Sequence, residues 1–176
     1  MNPSIDFEKS IRHERLIYRG TSRQRMRIFL YRHFPGILLL TASLLFFAGA
    51  VIDGSRLLIA AATLPLLLFA ISMALINKLV KVEGSELRKN QTEIFALLLR
   101  VYPGIQRHNC SPQVIIITNE RRALSLDKEI IILLEDRNVY MHISIFGWGN
   151  IKYLLFAIPN YLKSKSVLKN FYRRVR

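Results

Sequence analysis

Cys110 is the only cysteine of the chain, and two histidines, His108 and His142, are its candidate partners. A thiolate beside an imidazole is the basis of nucleophilic catalysis. His108 and Cys110 also form an H-x-C pair, which is half of a zinc site. No second ligand pair stands at a suitable spacing, so the pair reads as a surface loop. His142 falls on the less apolar face of a predicted strand, where a hydrogen-bonded histidine is the ordinary outcome. Glu135 and Asp136 are adjacent at a turn and read as solvated. The chain has no G-x-x-x-x-G-K-[ST] loop and no G-x-G-x-x-G; Gly147-Trp148-Gly149 reads as a bend. The residues point away from an enzyme, a cofactor or a metal. A membrane-bound enzyme using Cys110 is the catalytic alternative.

Basic residues offer a different chemistry, the binding of anions. The chain has 26 Lys and Arg against 12 Asp and Glu, a net charge of +14 over 176 residues. Residues 1–33 carry +5, residues 34–79 carry +1, residues 80–136 are neutral and residues 137–176 carry +8. No acid follows Asp136. Arg23 and Arg27 lie one turn apart in the leader. Lys163, Lys165, Lys169, Arg173, Arg174 and Arg176 surround an apolar side made by Leu168, Phe171, Tyr172 and Val175. This pattern suits a helix on an anionic lipid surface. It also suits a helix packed on a sheet with a solvated basic face. An acidic protein partner is a third outcome, and nucleic acid is the least favoured.

The elements that carry these groups divide the chain. Residues 34–52 and 57–76 hold no charge, and each contains eleven Leu, Ile, Val or Phe. At about 1.5 Å per residue each reaches roughly 30 Å, the thickness of a hydrocarbon core. Four residues, 53–56, separate them, which predicts an antiparallel transmembrane hairpin. Pro65 is expected to kink the second span. Ala42, Gly49, Ala62, Ala70 and Ala74 offer close approach between the helices. Neither span holds an ionisable residue, so no proton path is expected. Flanking Lys and Arg place both termini in the cytoplasm by the positive-inside bias, as in a bacterial inner membrane.

Residues 1–33 read as a basic helical cytoplasmic leader. Ser4 is expected to cap a helix over 5–18 that Gly20 ends, and Thr21 or Ser22 to cap the next. Residues 80–176 read as a small α+β cytoplasmic domain. Ser85 is expected to cap a helix reaching Val101, which Pro103-Gly104 stops. A loop is expected over 109–112, strands over 114–118 and 123–126, and an antiparallel hairpin over 129–146. In that hairpin Val139, Met141, Ile143 and Ile145 share one face, and Tyr140, His142, Ser144 and Phe146 the other. Residues 151–158 suit either strand or helix before Pro159, and a basic helix is expected from Asn160 or Ser164. Trp148 suits either an interfacial anchor or a core position.

The layout of basic leader, membrane hairpin and β-rich domain resembles small bacterial membrane proteins that carry a pleckstrin-like domain. The resemblance lies in architecture and carries no residues over. It implies a lipid-binding or regulatory module. The reading preferred from the residues is a non-enzymatic inner-membrane protein that presents a cytoplasmic interaction domain. An immunity or exclusion protein, or an accessory subunit of a secretion or conjugation machine, has this form. A protein partner and self-association both fit it.

Overall fold

The computed structural model describes residues 5–54, 56–102, 106–119, 127–146 and 156–175. The chain is a mixed α+β fold. Among the described residues its sheet has five antiparallel strands: β1 (Val80–Glu83), β2 (Gln106–Cys110), β3 (Val114–Asn119), β4 (Asp127–Glu135) and β5 (Asn138–Phe146). Their spatial order is β1-β5-β4-β3-β2. The expected hairpin is β4–β5, in register from Asp127↔Phe146 to Glu135↔Asn138. Asp136 turns the chain at φ 43°, a left-handed conformation that aspartate tolerates.

The run from Ile130 to Leu134 has no polar face because β4 is central and both faces are covered. On one face Ile130, Ile132 and Leu134 join Val139, Met141 and Ile143 of β5. Two helices cover that face: α4 (Leu87–Val101) through Ile94, Leu97 and Leu98, and α5 (Ala157–Val175) through Val167, Leu168 and Phe171. On the other face Ile131, Leu133 and Tyr140 meet Leu16 and Leu79, with Ile5, Phe7 and Ile11 packed around them.

That second cover departs from the expected helix over 5–18. Only α1 (Phe7–Arg12) is helical, capped by Asp6 rather than Ser4; Asp6 accepts from the Lys9 amide at 3.3 Å. Glu14 then takes φ 48°, and the chain runs back extended. Ile5 bridges to Tyr18, and Arg15 to Lys78. Buried Ser10 secures the return, since its Oγ accepts from the Ile17 amide at 2.9 Å. The start of the leader is thus built onto the sheet.

Two helices stand outside the sheet layers, α2 (Ser22–Ile52) and α3 (Arg56–Leu75), and they pack on each other. Thr21 caps α2 as expected, in a reciprocal pair with Gln24. Among the described residues, α3 is the one helix long and apolar enough to cross a membrane. Only 6% of its apolar window is buried. The described apolar stretch of α2 is shorter, Leu40–Gly49. Pro65 lies within α3, and the helix continues through it.

Three other boundaries differ from expectation. Residues 109 and 110 belong to β2, and the loop is 111–113, where Ser111 Oγ accepts from the Val114 amide at 2.9 Å. Helix α5 begins at Ala157, so Pro159 does not end a segment; it sits in a first turn, where its missing N–H leaves no bond unmade. Ser85 does not cap α4. The N-cap position is Glu86, without a side-chain bond, and Asn90 reaches back instead. The expected helix stop at 103–104, strand at 123–126, bend at 147–150 and most of 151–158, with Trp148, lie outside the described residues.

Candidate functional site

The predicted basic helix has its apolar side in the core. Val167, Leu168 and Phe171 are buried against the sheet, with Asn160 and Ser164 beside them. The apolar side of α5 therefore packs on the sheet and is not left for lipid. Lys163, Lys165, Lys169, Arg173 and Arg174 all face out and are exposed, and Arg176 lies outside the described residues. Arg23 is exposed in the first turn of α2. Arg27 lies in the next turn of that helix.

A second constellation joins α3 to the sheet. Arg15 Nη2 donates to the Ala74 carbonyl at 2.8 Å. The Leu16 amide donates to Asn77 O at 2.8 Å, and the Leu79 amide to Glu14 O at 2.9 Å. Ile76 and Ala157 are buried together, with Phe69, Met73 and Leu75 packed on them. The last turns of α3 and the first turn of α5 are thus held as one piece.

A small cleft opens at this junction, lined by Leu75, Ile76, His142, Ser144, Asn160 and Tyr161 among others. His142 and Ser144 are buried. His142 Nδ1 lies 3.0 Å from the Lys78 carbonyl, and Nε2 lies 2.7 Å from Ser144 Oγ. A carbonyl only accepts, so Nδ1 carries the proton. In the neutral ring Nε2 then accepts from the serine hydroxyl. The side-by-side placement of His142 and Ser144 was legible in the alternation of β5. The Lys78 carbonyl, 64 positions away, was not.

The same register separates His142 from Cys110. His108 of β2 is aligned with Ile116, Ile116 with Ile131, and Ile131 with His142. Three strand spacings, about 14 Å, lie between the two ends of that row. Cys110 is also in β2, aligned with Ile115, so the same three strand spacings part it from β5 and leave His142 out of reach as its base. Among the described residues no group of three His, Cys, Asp or Glu side chains is placed to hold a metal ion.

Two tyrosines have perturbed hydroxyls. Burial, then the hydrogen bond to Glu135 Oε2 at 3.0 Å, then the negative charges of Glu135 and Glu14, push Tyr140 up to about 12. Burial also raises Tyr102, whose hydroxyl has no hydrogen-bond partner among the described residues. The Tyr102 ring carries the Lys128 ammonium 4.8 Å from its centre, and Tyr161 carries that of Lys78 at 5.7 Å.

These features define a mixed α+β chain with one exposed apolar helix tied to its sheet and a basic outer helix. No protein-family model matches the chain, nor does any curated protein or solved structure at a significant level.

Proposed function

We propose that this chain is a membrane-anchored, non-enzymatic interaction module. Helices α2 and α3 form a hairpin across the inner membrane, and both termini and the α+β domain face the cytoplasm. The exposed basic residues of the later turns of α5, Lys169, Arg173 and Arg174, present a recognition surface to an acidic protein partner, in the manner of an immunity or exclusion protein or of an accessory subunit of a secretion or conjugation machine.

The observation that carries this reading is the uncovered state of α3. Leu57, Leu64 and Leu67 are 79%, 59% and 59% exposed. A core helix of a soluble fold would bury them, at roughly 1.5–3 kcal/mol per side chain. Other elements already cover both faces of the sheet, which supports a lipid-facing α3.

Carbonate extraction of cell membranes tests the anchor. The full chain is expected to stay in the pellet. Leu64→Arg, which adds about 3 kcal/mol at mid-span, is expected to reduce that fraction sharply. Recovery of the unaltered chain in the soluble fraction sinks the reading.

A further inference from the structure

The strand register gives the sheet two distinct ends, and α3 emerges at one of them. Leu75 and Ile76 line the cleft with Ser144 and Ile145, at the close of β5. Ile145 is aligned with Lys128 at the start of β4, and Lys128 reaches over Tyr102 at the close of α4. Ala157, the start of α5, lines the same cleft. The close of α4 and the start of α5 therefore share the end of the sheet from which α3 leaves. The opposite end holds the Asp136 turn and Asn90.

Exposed apolar side chains follow this division. Outside α2 and α3, the strongly exposed large hydrophobics among the described residues are Leu99 and Leu162, at 44% and 58%. Leu99 is in the last turn of α4 and Leu162 in the second turn of α5, so both belong to the α3 end. Each has exposed basic neighbours: Arg100 follows Leu99, and Lys165 is one turn beyond Leu162. Lys78, also exposed, lies three residues beyond the end of α3 and over Tyr161. Apolar tips flanked by cations are what an anionic headgroup layer accepts: leucine enters the acyl boundary while ammonium and guanidinium groups meet phosphate.

We propose that the α3 end of the domain rests in the headgroup layer of an anionic leaflet. Leu99 and Leu162 insert, and Arg100, Lys165 and Lys78 meet lipid phosphate. This rests on the membrane-anchor reading and adds to it a fixed orientation. The sheet stands with one end on the membrane, and the Asp136 end points into the cytoplasm.

The test uses the full chain in a Cys110→Ser background, placed in vesicles of mixed phosphatidylcholine and phosphatidylglycerol. Nitroxide labels are attached at Leu99→Cys, Leu162→Cys and, at the opposite end, Arg137→Cys. Collision with a water-soluble nickel complex is expected to fall several-fold at 99 and 162 relative to 137, while collision with oxygen rises. Neutralising Arg100 and Lys165 to Gln is expected to return much of the nickel accessibility. Labels at 99 and 162 as open to nickel as that at 137, in protein that still resists carbonate, overturn the proposal. They would leave the anchor standing and the two leucines to a protein partner. Release of the protein by carbonate would instead remove the anchor on which the proposal rests.

Discussion

The Arg15 guanidinium donates to the Ala74 carbonyl at 2.8 Å, joining residues 59 positions apart. Ala74 is in the last turn of α3, where carbonyls lack helical partners and the helix dipole favours a cation. One side chain thus fastens the end of the apolar helix to the strap that covers the sheet. Arg15 is exposed, so its contribution is modest, roughly 0.5–1 kcal/mol. Arg15→Ala is expected to leave the global unfolding transition almost unchanged. Hydrogen exchange at the Leu16 and Leu79 amides, which hold the strap against residues 77–79, should accelerate clearly. Unaltered protection at both amides would show that the arginine contact is incidental.

Asn90 supports the opposite end. It is fully buried, and its Oδ1 accepts from the Ser85 amide at 2.7 Å while Nδ2 donates to Ser85 O at 2.8 Å. Nδ2 also lies 3.5 Å from Asp136 O, so one amide ties the entrance of α4 to the β4–β5 turn. Asn90→Ala removes both partners of the half-buried Ser85 amide and carbonyl, which costs about 1–3 kcal/mol. Gly84→Ala should act through the same group, because a methyl there would overlap the Asn90 side-chain amide. Thermal unfolding in detergent is expected to show a lowered midpoint for both variants. The double variant should fall short of the sum, since each change damages one contact.

The sequence made parts of this arrangement legible and hid others for physical reasons. The β4–β5 pairing could be read because period-two alternation fixes register whenever a face is buried. A cap at Thr21 or Ser22 could be read because capping is local, and Thr21 takes the position. The stripe Leu168, Phe171, Tyr172 and Val175 announced an amphipathic helix, yet periodicity does not say what covers the apolar side. Here the sheet does. Strand β2 was hidden because Gln106, Arg107, His108 and Asn109 show no alternation of apolar residues; Gln106, Arg107 and His108 pair because β3 offers an edge, and the register passes over Asn109. The left-handed Glu14 that turns the strap has no signature in residue type. The basic residues of α5 were legible as exposed, whereas the His142–Lys78 contact needed the tertiary structure.

Tyr140 gives the fold an alkaline limit. An unfolded tyrosine ionises near pH 10, while in the fold burial and Glu135 hold the proton up to about pH 12. As pH rises the unfolded chain loses this proton first. The stability contributed by Tyr140 is therefore complete below pH 10 and is lost progressively between pH 10 and about 12. Urea unfolding followed across that window should show a steep decline for the unaltered chain. Tyr140→Phe should start less stable and decline less. Parallel curves for the two proteins would exclude Tyr140 as the source.

Ser144 and His142 have the outline of a nucleophile and its base, since the hydroxyl donates to Nε2 and a carbonyl orients Nδ1. Their surroundings argue for support instead. Ser144 is 4% exposed and lies within a nine-residue strand, without the sharp turn that lifts a nucleophilic serine toward substrate. Its hydroxyl makes a buried hydrogen bond to the imidazole at 2.7 Å, and a bond of this kind contributes about 0.5–1.5 kcal/mol. Ser144→Ala should therefore lower the unfolding midpoint and leave membrane attachment intact. A fluorophosphonate, which reacts with activated serines, should leave the unaltered chain unlabelled. Labelling at Ser144 that disappears in His142→Ala would reverse this assignment and make the junction an active site.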